Sequence, residues 1–165
     1  MNDDDRAWLR LAGFALAHAS WSVEDGETLC TLAIVARAGN EERELVRFEA
    51  PSIPVSVEMA QAELASLRGD DRAVLVFDGH VTPEGGERTD ALMAQLLQPG
   101  PAIRGLAIQP YRAAKRPRFR FLGGATGFAL VGEPYLVADF GDEGADAELL
   151  AGFREHPQRT RLLGG

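Results

Sequence analysis

The chain of 165 residues carries 17 basic against 25 acidic side chains, a net charge of −8, with 45% apolar and 25% charged residues. That length and apolar fraction are enough to close one hydrophobic core unaided, which excludes a disordered chain and a disulfide-stapled miniprotein. The single cysteine, Cys30, excludes an internal disulfide and a zinc ribbon, and no apolar run reaches the roughly 20 residues needed to span a bilayer as a helix.

The opening Asn2-Asp3-Asp4-Asp5 lacks the basic start of a secretion signal, and Arg10 interrupts the apolar residues that follow, so a cytoplasmic protein is expected. Arginine outnumbers lysine sixteen to one, a composition expected of a GC-rich bacterial genome and without mechanistic content.

Residues 5–19 are predicted to form a helix. Arg6, Arg10, Gly13 and Ala17 recur at steps of three or four and leave Trp8, Leu9, Leu11, Phe14 and Leu16 on a wide apolar surface, which calls for burial of most of its circumference, Trp8 and Phe14 included. The aspartates before it suit the positive end of the helix dipole.

Strand-like residues 28–35 and 44–49 flank the polar turn Ala38-Gly39-Asn40-Glu41 and predict a β-hairpin. Pro51, Ser52 and Pro54 then start a helix over residues 54–68, whose Val57, Ala60, Leu64 and Leu67 repeat at helical spacing before Gly69. The unbroken apolar run at 73–77 suits a central strand buried on both faces.

Residues 90–98 admit two readings. Leu92, Met93, Leu96 and Leu97 allow a helix, whereas the Glu84-Gly85-Gly86 turn favours a strand returning as a hairpin centred on Gly85, the reading adopted here. Further strands are expected near 104–112, 117–122 and 128–138, with Gly123-Gly124-Ala125-Thr126-Gly127 as a turn, since it lacks both a P-loop and a dinucleotide-binding spacing. Together these elements give an α+β domain, its largely antiparallel sheet packed against the N-terminal helix and the helix near 54–68. One globular domain is expected over 1–140, and residues 141–165 read as a C-terminal tail with a weak helix around Leu149, Leu150 and Phe153.

Two places draw functional attention. In a hairpin centred on Gly85, His80 faces Asp90, and Asp78 points to the same side as His80. Two carboxylates and an imidazole could orient a general base or hold a divalent ion, although a cross-strand ion pair explains the same pattern. The second place is the stretch from Ala91 to Gly132, which has no acidic residue and six basic ones, Arg104, Arg112, Lys115, Arg116, Arg118 and Arg120. Alternation in Arg118-Phe119-Arg120-Phe121 sends the arginines to one face and the rings to the other, which with the net negative charge disfavours nucleic acid.

The remaining candidates read as structural. Cys30 is expected to be a small buried hydrophobe, His18 a cap near the end of the first helix, and His156 part of the tail. No cofactor motif is present. The first functional expectation is therefore a non-enzymatic interaction domain whose basic face at 104–120, with Arg104, Arg112, Arg116, Arg118 and Arg120 as its binding residues, meets an acidic protein or a second copy of the chain. The alternative is a small enzyme or ligand- or metal-binding protein with its site at Asp78, His80 and Asp90.

Overall fold

A computed structural model describes residues 1–100, 102–115, 127–137 and 144–157. Within them the elements run α1 (Asp3–Val23), β1 (Leu32–Ala36), β2 (Arg43–Arg47), α2 (Ile53–Leu64), β3 (Arg72–Val81), β4 (Thr89–Leu97), β5 (Ile103–Arg112), β6 (Ala129–Leu130), β7 (Tyr135–Leu136) and α3 (Ala145–Glu155). The strands form one antiparallel sheet ordered β2-β1-β3-β4-β5-β6, with β7 also on β5, so the class is α+β. No helix among the described residues is long and apolar enough to cross a membrane.

Local chemistry sets the element ends. The Asn2 side chain caps α1 by accepting from the Asp5 amide at 2.8 Å, and Asp3, Asp4 and Asp5 fill the first turn, where negative charge is favoured. Ser52 caps α2, with Pro54 in the first turn, where a missing amide proton costs nothing. Gly85, at φ +70°, lies in the turn that joins β3 to β4 with Val81 opposite Thr89, so residues 90–97 are strand.

β3 sits between two cores. Val74 and Val76 pack with Leu32, Ile34, Leu92, Leu96 and α1, while Ala73 and Leu75 pack with Val35, Phe48, Ala60, Leu64 and Leu67 beneath α2. The period of two in a strand divides one apolar run between two faces, which is why an unbroken run marks the centre of the sheet.

Several expectations are corrected. The strand expected at 128–138 is two short pieces, β6 and β7, with Gly132 at φ +74° between them. β1 begins at Leu32 instead of residue 28, which leaves Cys30 half-buried ahead of the strand. Phe14 is half-buried at the rim of the core, unlike Trp8, which is 2% exposed. The expected strand at 117–122 and most of the glycine turn after it lie outside the described residues.

The C-terminal helix belongs to the main core. Leu149 and Phe153 of α3 are fully buried in the cluster that holds Trp8, Leu16 and Val76. Gly13 and Ala17, expected on the outer stripe of the first helix, are buried instead, because α3 lies along that stripe with Gly13 against Leu149, Gly152 and Phe153. Full burial of side chains this large contributes roughly 1.5–3 kcal/mol each, so a boundary at residue 140 does not separate this helix from the domain.

Candidate functional site

The register of three strands assembles a polar end to the sheet. His80 of β3 lies opposite Asp90 of β4, which lies opposite Tyr111 of β5; in the next row of the same face come Asp78, Leu92 and Gln109. Directly opposed residues on one face stand about 5 Å apart at Cβ, so the sequence-predicted trio is brought to one face together with two further polar residues. The charge-bearing side chains begin where the apolar residues of β3 and β4 end, at Asp78 and Asp90.

Tyr111 ties the two rows together. Its hydroxyl donates to Asp78 Oδ1 at 2.9 Å, and its ring, nearly buried, lies 5.9 Å from that of Phe128. Burial pushes the Asp78 carboxyl above its ordinary value, the Tyr111 hydrogen bond works against that, and the neighbouring charge of Asp90 adds to it. Burial, then the charge of Asp78, pushes the Tyr111 phenol up, so at neutral pH it keeps its proton and acts as a donor. The fully buried Gln109 donates through Nε2 to the carbonyls of Pro110 and Gly132 at 2.8 and 3.1 Å, while its Oε1 has no partner. Gln109 Oε1 is thus a buried acceptor left without a donor at this end of the sheet.

His80 and Asp90 are opposite in register yet share no hydrogen bond or ion pair among the described residues. His80 Nδ1 instead lies 3.1 Å from the Arg88 guanidinium. A guanidinium can only donate, so Nδ1 accepts and the ring proton sits on Nε2, facing away from that contact. No group of three His, Cys, Asp or Glu among the described residues could hold a metal ion, so Asp78, His80 and Asp90 do not form a donor set.

The basic stretch is placed only in part. Arg104 is ion-paired with Asp4 at 3.0 Å and with Asp5 in the first turn of α1, and its guanidinium lies 5.8 Å from the Trp8 ring centre. It therefore has the counter-charges that its own neighbourhood in sequence lacks. Arg112 is exposed at the far end of β5, eight residues and roughly 26 Å of strand away. Arg116, Arg118 and Arg120 lie outside the described residues.

Sequence reasoning missed His18 and His156. His18 is inside α1, five residues before its end, so it caps nothing, and His156 is 4% exposed at the end of α3. The overlooked signal is the spacing Leu149, Phe153, His156, which continues the apolar stripe of α3. Cys30 lines an open cavity of about 340 Å³ with Phe48, Ser52 and Ser56. There the hydroxyls of Thr31 and Ser56 satisfy each other at 2.6 Å.

Compared with known protein families, curated proteins and solved structures, this chain matches none.

Proposed function

We propose that this chain is a binding protein for a cationic amine, which it takes at the polar end of the sheet between Asp78 and Asp90. The observation that carries the reading is that two carboxylates share one sheet face near the buried Tyr111, and neither is paired with a cation among the described residues. An ammonium group there relieves their mutual repulsion and supplies hydrogen-bond donors to both carboxylates. At 4 Å each charge pair is worth between about 1 and 4 kcal/mol, depending on solvent exposure. The rings of Tyr111 and Phe128 offer a cation further attraction, and the His80 Nε2 proton and Arg88 at the rim suit a hydroxyl or carboxylate carried by the same ligand.

The test is an NMR titration at pH 7 with putrescine, L-lysine and L-arginine as probes. Saturable shifts of the Asp90 and Tyr111 amides are expected, with at least tenfold weaker binding in Asp90→Asn. Binding of equal strength in an Asp78→Asn, Asp90→Asn double variant, or no saturable shift for any of the three amines, overturns the reading.

A second reading, contact between residues 104–120 and an acidic protein or another copy, is favoured by Arg112 and Lys115. Both are exposed, and neither has an ion pair among the described residues. Here the test is charge reversal at Arg112, Arg118 and Arg120. Unchanged sedimentation and unchanged co-purifying proteins at low salt count against it.

A further inference from the structure

Two imidazoles meet where α3 ends against α1. His18 Nδ1 lies 3.2 Å from His156 Nε2, and the rings of Phe14 and Trp21 stand 5.2 and 6.1 Å from that of His156. One of the facing nitrogens must donate and the other accept, so the contact is incompatible with two protonated rings. His18 Nε2 is buried without a partner.

The charged surroundings oppose an added proton. Arg47 of β2 acts on His18, and Arg43 of the same strand lies over the Phe14 ring at 4.4 Å. Glu155 of α3, next to His156 in the chain, is already held by Arg10 of α1 and by Arg43. We propose that the His18–His156 pair is an acid-sensitive latch that holds α3 on α1. A first proton places a cation in a buried, arginine-flanked site; a second turns both facing nitrogens into donors and abolishes the bond between them.

The sign follows from proton binding. Burial, then the neighbouring His18, pushes His156 down to about 4, and burial, then Arg47, lowers His18. When α3 is released, His156 returns to about 6.5 and His18 loses the part of its lowering that comes from burial under α3 while keeping that from Arg47, so the released state binds more protons. The pair's contribution to docking is fully present above pH 6.5 and declines progressively as the pH falls toward 4. Release uncovers Leu149 and Phe153 of α3 together with Gly13 and Ala17 of α1, while the core around β3 and α2 stays closed.

The latch is tested in the full chain by amide hydrogen exchange, corrected for the intrinsic pH dependence of exchange. Fluorescence of Trp21 in a Trp8→Phe background, where a protonated imidazole quenches the adjacent indole, gives an independent reading. From the His156 displacement alone, opening of α3 is expected to rise about thirtyfold between pH 7.5 and 5 while the amides of Val74 and Val76 stay protected. His156→Gln is expected to flatten that dependence and His18→Gln to reduce it, so a folding failure of one variant leaves the other to be read. The proposal is overturned if α3 protection is flat over this range, if both variants keep the parent slope, or if Val74 and Val76 lose protection together with α3.

Discussion

Gly13 of α1 and Gly152 of α3 face each other backbone to backbone. A Cβ on Gly13 would lie 1.9 Å from the Leu149 carbonyl oxygen, and one on Gly152 would lie 2.1 Å from that of Arg10. Neither oxygen can move without the helix that carries it. Alanine raises helix propensity by about 1 kcal/mol over glycine, yet each Gly→Ala change here is expected to destabilise the fold by about 1–3 kcal/mol, because it forces the helices apart above Phe153. Urea unfolding gives the answer; a gain in stability for Gly152→Ala would mean that the helices do not cross so closely.

Trp8 is the large side chain through which α1 enters the core, and Arg72 and Arg104 lie near its ring at 6.0 and 5.8 Å. Trp8→Ala is expected to cost about 3–5 kcal/mol. Phe14→Ala should cost clearly less, since Phe14 is only half-buried. Equal losses for the two, measured by the same denaturant method, would contradict the burial difference.

Asp78 couples binding to stability. Its pKa is raised in the folded state, first by burial, so its contribution to stability is fully present below the unfolded value of 3.8 and is lost as the pH rises through the folded value. Ionisation of this carboxyl therefore costs the native state more than the unfolded chain. Asp78→Asn still accepts from Tyr111, so it is expected to raise the melting temperature at pH 7 and lose the gain near pH 3, while weakening amine binding. A lower melting temperature at pH 7 would show that the carboxylate is better satisfied than its neighbours indicate.

Asp4 behaves in the opposite sense. Hydrogen bonding from Arg72, aided by Arg104, holds its carboxyl below the ordinary range, so its stabilisation is present above pH 3.8 and disappears on further acidification. The side chain is half exposed, which limits the effect of Asp4→Asn at neutral pH to under about 1 kcal/mol and makes it fade at high salt. A loss that persists unchanged in 1 M NaCl would point to packing instead.

Periodicity and turn chemistry, read from the sequence, determined most of the fold. The run Ala73-Val74-Leu75-Val76 marked the central strand because a strand covered on both faces has no solvent side to mark with polar residues. The glycines around residue 85 were enough to place His80 opposite Asp90, because a hairpin turn fixes the register on both sides of it. Ser52 and Pro54 likewise marked the start of α2, whereas α1 begins at Asp3, two residues before the expected start, under an Asn2 cap that the sequence reading did not single out.

What the tertiary structure decided was which distant segments answer each other. Arg104 lacks an acidic neighbour in sequence, yet Asp4 and Asp5, a hundred residues away, neutralise it. Gly13 and Ala17 resembled an outer stripe until α3 covered them, since a small residue suits solvent and a tight helix crossing equally well. Tyr111 joined Asp78 only through the pairing of β4 with β5, and His18 met His156 only because α3 folds back on α1. Local pattern is written by the period of a single element, whereas charge neutralisation, helix crossing and hydrogen bonds between side chains far apart in the chain depend on the loops that return one element to another.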